Sequence, residues 1–312
     1  MSDTLNQRQA YGEELLALGR ENENIVALEA DLGKSTMSIL FGQEFPERYF
    51  NVGIAEQNML STAAGLAASG KIAFCSTFSV FITGRAYDQA RQTIAIGKLN
   101  VKLCGSSSGL SDFGDGSTHQ AVEDAALMCA IPGMTVLTPC DAAETRLAVR
   151  AAAEIDGPVF IRIVRNDLPA ILGKDAGFMQ EPRMLTDGSD VLILAHGSMT
   201  ARGLEAAKIL KSRGISAAVA NIGVLKPFPY EAVSRLAEKF KAVVTAEEHT
   251  YIGGLASATA LALRTSSTPM DYIAIDDSFG QSAGNVDELM SCYGLTPENI
   301  ADKAEGLLKT QG

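Results

Sequence analysis

The sequence predicts an α/β protein with two domains, each a mostly parallel sheet that has helices on both faces. Short apolar runs alternate with amphipathic stretches almost from end to end, a pattern typical of βα units around a buried parallel sheet. The alternation pauses once, over residues 167–188, where glycine and proline recur without a clear period. The length of 312 residues suits two domains. We therefore expect one domain at 1–168, a linker at 169–186 and a second domain at 187–312.

The first domain is expected to consist of short buried strands that alternate with helices. Its short apolar runs favour strands, and the stretches between them have the periodicity of amphipathic helices. The expected strands are at residues 25–28, 49–52, 72–75, 101–104, 135–137 and 159–163, and the expected helices at 11–20, 58–69, 87–97 and 142–155.

The second domain repeats the alternation and ends in two helices. Asn285 can cap the first of these helices, with Glu288 three residues further on. Thr296 can cap the second, because Pro297 and Glu298 suit its first turn. Before them we expect strands at residues 191–195, 216–222, 242–247 and 272–276, with helices at 200–213, 229–239 and 254–264.

The composition narrows the classes of function. The formal net charge of −11 argues against a nucleic-acid partner, because a phosphate backbone is itself negative. No apolar run reaches about 18 residues without a polar break, so no membrane span is expected. The N-terminus has no apolar segment behind a basic start, which argues against a secretory signal. The five cysteines show no CxxC spacing and are expected to be free thiols in a reducing cytoplasm.

Common phosphate, dinucleotide and metal motifs are not present in the sequence. GKS at residues 33–35 lacks the glycine that a phosphate loop needs, since Leu28 stands at that position. No GxGxxG opens a helix, and His119, His196 and His249 lie far apart without metal spacing. We expect no metal ligands in this chain and assign no role to His196 and His249.

Five polar segments keep a characteristic order and spacing from about residue 8 to residue 169. They are EADLGKS at 29–35, GIAEQ at 53–57, STFSVF at 76–81, DGSTHQ at 115–120 and RNDLP at 165–169. Together they resemble the pyrimidine-binding domain of the transketolases, a family of thiamine-diphosphate enzymes. AHGS at 195–198 and EEHTYIGG at 247–254 resemble the C-terminal domain of the same family.

The resemblance implies a thiamine-diphosphate site whose pyrimidine side is formed by this chain. Glu56 matches the family's glutamate at N1′ of the cofactor, where a carboxylate acts as general acid and base. Phe78 and Phe81 match the aromatic wall for the flat aminopyrimidine, with Phe81 as the stacking partner. From the residues alone, a first-turn glutamate also suits a helix dipole, and the two phenylalanines also suit a core. Gly84 departs from the pattern, since many transketolases have tyrosine there, and GRAYDQ at 84–89 is more like deoxyxylulose-phosphate synthase.

The resemblance also implies residues that hold the substrate. Asp115 and His119 match groups that hydrogen-bond sugar hydroxyls, and His119 is expected to take part in catalysis. Ser107 stands where the family has a second histidine, so it keeps a hydrogen bond but loses bulk and any charge. Two guanidinium groups and a hydroxyl can bind a dianion. The remaining expected substrate residues are Asp31 and, for the phosphate group, Arg8, Ser35 and Arg165.

The resemblance leaves the cofactor site incomplete in this chain. GDG at 114–116 begins like the diphosphate and magnesium motif of thiamine enzymes, but residues 139–145 lack the asparagine that completes it. The sequence also starts where a pyrimidine domain starts. We therefore expect the second subunit of a split transketolase, with Mg²⁺ and the diphosphate held mainly by an N-terminal subunit that carries GDG…N. Small residues at 61–68 suit close helix packing, and a heterotetramer with two copies of each subunit is expected.

The predicted reaction is transfer of a two-carbon ketol unit between phosphorylated sugars, as in pentose phosphate metabolism. The enzyme is expected to be cytoplasmic and active only with its partner subunit. Two other thiamine enzymes stay open as alternatives: a protein like deoxyxylulose-phosphate synthase and the β subunit of an oxo-acid dehydrogenase. A non-catalytic regulatory subunit is a third alternative. Glu56, Asp115 and His119 argue against it, because a scaffold does not need them.

Overall fold

The computed structural model describes residues 4–173 and 175–310. These residues form a seven-stranded sheet, a five-stranded sheet and a two-stranded ribbon. The outer limits of the predicted domains, residues 1 and 312, and Lys174 of the predicted linker lie outside the described residues. The strands are β1 (Thr4–Asn6), β2 (Ile25–Glu29), β3 (Tyr49–Asn51), β4 (Ile72–Phe78), β5 (Val101–Ser106), β6 (Thr135–Leu137), β7 (Val159–Arg162), β8 (Asp167–Pro169), β9 (Arg183–Thr186), β10 (Val191–Ala195), β11 (Ala217–Asn221), β12 (Val224–Lys226), β13 (Ala242–Thr250) and β14 (Met270–Ile275).

Helices follow most of the strands, as the alternation predicts. In the described part of the chain, no helix is long and apolar enough to cross a bilayer. The predicted helix at 87–97 winds as a π-helix over Gln89–Ala95, and a second π-helical segment spans Phe81–Arg85. The α-helices are α1 (Gln7–Glu21), α2 (Gly33–Thr36), α3 (Ile39–Glu44), α4 (Glu56–Ala68), α5 (Asp124–Ala130), α6 (Ala142–Glu154), α7 (Met199–Ser212), α8 (Tyr230–Ala237), α9 (Leu255–Ala262), α10 (Val286–Cys292) and α11 (Pro297–Lys309).

The seven-stranded sheet has the order β12-β6-β7-β5-β4-β2-β3. Its strands from β2 to β7 pair in parallel, and β12 pairs antiparallel with β6 at one edge. Successive side chains of a strand point to opposite faces. Ile25 accordingly packs with α1 and α6, whereas Val26 packs on the other face with α4. The predicted layering of helices on both faces of a parallel sheet is confirmed.

The five-stranded sheet has the order β14-β13-β10-β11-β9, with β9 antiparallel to β11 and the other pairs parallel. Val191 and Ile193 of β10 share one core with α7 and α11. Leu192 and Leu194 face the other way, into a core that also contains Val26 of the first sheet. One apolar cluster therefore runs from the first domain into the second and packs the two domains together.

The segment at 167–188 contains strands that its sequence does not predict. β8 pairs antiparallel with β1, and β9 forms the edge of the second sheet. β12 was also not predicted, and it leaves the second domain to join the first sheet. Strands of three or four residues are too short to show a period of two, and their pairing depends on distant segments.

Lys102 is a buried charge-bearing group in the middle of the first sheet. Its Nζ donates hydrogen bonds to the carbonyls of Ile155 at 2.6 Å and Gly157 at 2.7 Å. Burial lowers the pKa of this lysine to about 7, although nearby Asp156 opposes the shift. The lysine therefore holds two carbonyls of the loop after α6, and the desolvation of its amino group costs free energy.

We expect the free energy of unfolding to rise with pH above neutrality because of Lys102. Its pKa is about 7 in the folded chain and about 10.4 when unfolded, so the unfolded chain binds more protons between these values. Stability should increase by at most about 1.4 kcal/mol per pH unit from this group. Urea unfolding at several pH values checks this: Lys102→Met should flatten the slope, and Lys211→Met at an exposed site should not. Equal slopes in the wild type and Lys102→Met would contradict it.

Candidate active site

The predicted site residues lie at one edge of the seven-stranded sheet, where its parallel strands end. The chain leaves β2 towards β3, and leaves β4 in the opposite direction towards β5. Such a reversal of strand order opens a crevice at the carboxyl ends of the strands, where α/β proteins bind ligands. Asp31 follows β2, Glu56 follows β3, Phe78 ends β4, Ser107 follows β5 and Arg165 follows β7.

Glu56 is the first residue of α4, and only 1% of its side chain is exposed. A carboxylate at a helix N-terminus is stabilised by the partial positive charge there. Arg85, 48% exposed, donates from Nη1 to both oxygens of Glu56, at 2.9 and 3.0 Å. The carboxylate is thus buried, and the arginine that pairs with it is half exposed.

Phe78 and Phe81 form the aromatic wall of the site. Their rings are nearly parallel, with an interplanar angle of 16° and centroids 5.9 Å apart. The ring of His119 lies nearly perpendicular to both, with its centroid 5.3 Å from that of Phe81 and 6.2 Å from that of Phe78. The guanidinium carbon of Arg85 lies 4.4 Å from the Phe81 centroid, in cation–π contact. The structure therefore brings His119 and both phenylalanines into one cluster, and Arg85 connects it to Glu56.

A buried polar network that the sequence does not predict supports this aromatic wall. The hydroxyl of Ser79, which lies between the two phenylalanines in the sequence, donates to Asp124 at 2.6 Å. Asp124 also accepts from Nε of Arg162 at 2.9 Å. Arg162 in turn donates from Nη2 to the carbonyl of Glu248 in the second domain, at 2.8 Å. An arginine inside the apolar run at 159–163 was the available sign, since such a buried charge needs a buried partner.

The two histidines that the sequence left unassigned lie in the same interdomain region. Nδ1 of His249 is 2.6 Å from the carbonyl of Thr250, which can only accept, so that nitrogen carries a proton. Its Nε2 accepts from the amide of Ala126 at 3.3 Å, which fixes the neutral tautomer. Burial lowers the pKa of His249. His196 is also buried, its Nε2 is 3.6 Å from Glu247, and neither ring nitrogen hydrogen-bonds within the described residues.

Arg8, Ser35 and Arg165 come together at one end of the site. Nη1 of Arg8 donates to the backbone carbonyl of Ser35 at 3.0 Å. Burial and the positive charge of Arg165 lower the pKa of Arg8, in that order of importance. Nε of Arg8 is buried and has no hydrogen-bond partner among residues 4–173 and 175–310. Two close guanidinium groups, one with an unused donor, suit an anion.

Arg165 is held by carboxylates and by the side chain of Asn6. Its Nη1 donates to both oxygens of Asp112 at 2.8 and 2.9 Å, and Asp115 lies 4.0 Å away. Asn6 caps α1 with its side-chain oxygen, and its amide donates to the carbonyl of Arg165 at 3.2 Å. The β1–β8 pairing therefore places the first turn of α1, and with it Arg8, beside Arg165.

Two other predicted substrate residues adopt an uncommon backbone conformation. Asp31 has φ of 60° and Ser107 has φ of 54°, values that cost energy for any residue except glycine and that cluster at functional sites. Ser107 is buried, and its hydroxyl has no hydrogen-bond partner in the described structure. Gly84 is exposed, and a side chain there would point into open space.

Family models match nearly the whole chain. Residues 3–170 match the pyrimidine binding domain of transketolase, and residues 181–300 match the transketolase C-terminal domain. The chain belongs to the transketolase family. The matched ranges put the carboxylate, the aromatic wall and the paired arginines in the transketolase pyrimidine domain.

Relatives of this transketolase chain include separate subunits of similar length. A putative transketolase C-terminal section from Methanocaldococcus jannaschii is 43% identical over 95% of this chain and 94% of that protein. A 6-deoxy-6-sulfo-D-fructose transketolase subunit from a Clostridium strain is 42% identical, over 95% and 92%. A solved structure described as a split-gene transketolase, inactive beta4 tetramer, is 44% identical and has a TM-score of 0.89, with 98% and 99% covered. The prediction of a subunit of a split, ketol-transferring transketolase is confirmed.

Proposed function

We propose that this transketolase subunit forms the pyrimidine side of a thiamine-diphosphate site and transfers a two-carbon ketol unit between phosphorylated sugars. The observation that carries the proposal is the buried carboxylate of Glu56, which Arg85 joins to the stacked rings of Phe78 and Phe81. A flat heteroaromatic ring with a basic nitrogen needs an aromatic face and a proton-exchanging group at its edge, and these residues provide both.

Thiamine diphosphate, when bound, supplies the stabilised carbanion that ketol transfer requires. Glu56 would donate and accept the proton at the ring nitrogen N1′. Its burial excludes water from this exchange, and its position as the first residue of α4 fixes where the carboxylate lies. Phe81, with Phe78 behind it, would fix the plane of the ring.

His119, Asp115 and Ser107 would bind hydroxyl groups of the sugar. The ring of His119 lies nearly perpendicular to the Phe81 ring, and its Nδ1 lies 2.9 Å from the hydroxyl of Thr118. Its other nitrogen is therefore the one that we expect to meet the substrate. The unpaired hydroxyl of Ser107 would gain a partner from the sugar, which would offset the cost of its burial.

Arg8 and Arg165 would bind the terminal anion of the sugar, with Ser35 beside them. The unused Nε donor of Arg8 supports this role. Phosphate is the anion that we propose. Sulfonate is a second candidate, because Asp112 neutralises part of the positive charge and a sulfonate carries one negative charge. The relative from the Clostridium strain is named for a sulfonated sugar.

We further propose that Mg²⁺ and the diphosphate are held mainly by a separate N-terminal subunit that carries GDG…N. The similar relatives named as a section and as a subunit support this. Two copies of each subunit would then form a heterotetramer, which light scattering of the mixed subunits can measure.

The purified chain alone should bind thiamine diphosphate weakly and show no turnover. Most of the charge of the cofactor is in its diphosphate, and the subunit that we propose to hold this group and its Mg²⁺ is missing. Calorimetry with Mg²⁺ present measures the binding, and a ketol-transfer assay with and without the N-terminal subunit measures the activity. Tight magnesium-dependent binding by the chain alone would contradict the divided site, and absence of ketol transfer by the assembled subunits would contradict the proposed reaction.

A further inference from the structure

Arg85 is the one member of the aromatic and carboxylate cluster to which the proposed function gives no role. Its guanidinium makes two contacts at once. It hydrogen-bonds both oxygens of Glu56, at 2.9 and 3.0 Å, and it lies over the ring of Phe81 with its central carbon 4.4 Å from the centroid.

These two contacts are the ones that the aminopyrimidine ring of the cofactor needs. A guanidinium is planar, delocalised and rich in N–H donors, and it stacks on aromatic rings as a heterocycle does. Arg85 and a pyrimidine ring cannot both occupy the position between Glu56 and the Phe81 ring. On this basis, which rests on the proposed function of Glu56 and Phe81, we propose that Arg85 is a built-in substitute for the aminopyrimidine and must be displaced when the cofactor binds.

The surroundings of Arg85 suit a side chain that moves. Nearly half of its surface is exposed, and the position of Gly84 next to it borders open space. It belongs to the π-helical segment Phe81–Arg85, a wide turn that is often found at functional sites. The guanidinium can therefore move into solvent without disturbing the core. Water then replaces much of the hydrogen bonding that it loses with Glu56.

The contact between Arg85 and Glu56 also stabilises the chain when no cofactor is bound. Glu56 is almost fully buried, and a buried carboxylate without a partner is costly. Arg85 supplies that partner until the pyrimidine ring takes over the hydrogen bond. The exchange keeps Glu56 paired in both situations, and it makes the affinity for the cofactor lower than the site itself would give.

The test uses the aminopyrimidine alone, 4-amino-5-(hydroxymethyl)-2-methylpyrimidine, and the full chain without a partner subunit. Saturation-transfer NMR measures its dissociation constant for the wild type, R85A, R85K, E56Q and R85A/E56Q. We expect R85A to bind this ring at least about tenfold more tightly than the wild type, since the competing charged hydrogen bonds to Glu56 are removed. R85K keeps a charge near Glu56 but has no planar group, so its affinity should lie between the two. R20A removes an exposed arginine–glutamate pair with Glu44 in the same domain and should bind like the wild type.

A double-mutant cycle gives a readout that involves no ligand. The melting temperatures of R85A, E56Q and the double variant should show coupling between Arg85 and Glu56, and no coupling would overturn the proposal. Unchanged or weaker binding by R85A, with E56Q still weakening the wild type, would overturn it while leaving the role of Glu56 intact. If E56Q has no effect on binding in either background, the proposed role of Glu56 and this proposal both fail. Should R85A not fold, R85K decides: tighter binding supports displacement, and unchanged binding overturns it.

Discussion

Replacement of Glu56 by glutamine is expected to lower kcat of the assembled enzyme by about 10²–10⁴-fold, the usual effect of losing one general acid or base. The amide has nearly the shape of the carboxylate but cannot exchange a proton with N1′. Glu56 is almost fully buried at the start of α4, so bulk water has little access to take over its proton exchange. The loss should appear in the chemical step and hence in kcat.

The experiment compares the wild type, Glu56→Gln and Glu44→Gln, each assembled with the N-terminal subunit. Glu44 is also paired with an arginine, Arg20, but it lies exposed on α3 and outside the site. Circular dichroism and the melting temperature show whether each variant is folded. The assignment of Glu56 is wrong if its glutamine variant is folded and assembled and turns over at the wild-type rate.

The alternation of strands and helices could be predicted because it depends on short stretches of the sequence. The caps are an example: the side-chain oxygen of Asn285 accepts from the amide of Glu288 at 2.9 Å, and that of Thr296 accepts from Asn299 at 3.2 Å. Both interactions join residues three positions apart, so local sequence is sufficient. β12 has no such local sign, because its three residues become a strand only when β6 of the other domain is alongside.

The site could be predicted only in part, for a similar reason. Glu56, Phe78 and Phe81 belong to motifs whose order is visible in the chain, and the fold brings them to the same place as His119. The partners that hold them are distant in sequence and show no period. The contact of Arg85 with Glu56 depends on how a π-helical turn faces α4, which periodicity does not show.

The supporting network shows the same limit across the domain boundary. Ser79 reaches Asp124, and Arg162 joins Asp124 to the backbone of the second domain. Ser79 and Asp124 on their own resemble ordinary polar residues at the start of a helix, and only Arg162, inside an apolar run, indicates a buried partner. Only the assembled fold shows that the segment from Phe78 to Phe81 is fixed by a buried ion pair, whose members would be costly to leave unpaired.

Replacement of Arg165 by alanine is expected to raise KM for a phosphorylated sugar by about 10–100-fold. A hydrogen bond to a charged group contributes about 1.5–3 kcal/mol, which corresponds to this range. Arg165 lies close enough to Arg8 for its charge to lower the pKa of that residue, so the two guanidinium groups are placed to share one anion. An uncharged sugar has no group for this pair and should be affected far less.

The contrast between substrates separates binding from folding. Arg165 also pairs with Asp112, which is buried, so the alanine variant leaves that carboxylate without its partner and should lose some stability. Such a loss acts on every substrate equally. Arg165→Lys keeps a positive charge beside Asp112 and should restore the melting temperature. It lacks the planar guanidinium that can hold an anion with two hydrogen bonds, so the KM for the phosphorylated sugar should stay high. Arg146→Ala, which removes a partly exposed arginine of α6 paired with Glu13, is the matched control.

Three sugars decide what the arginine pair recognises: a ketose 6-phosphate, the 6-sulfonate of the same ketose and the uncharged ketose. The phosphate should lose most in Arg165→Ala if the site is built for a dianion. Asp112→Asn extends the test, because it removes the charge that opposes Arg165 and should favour the phosphate over the sulfonate relative to the wild type. Preference for the sulfonate in the wild type, reversed in Asp112→Asn, would assign the enzyme to sulfonated sugars. Equal loss on all three sugars in Arg165→Ala would mean that Arg165 supports the fold and binds no anion.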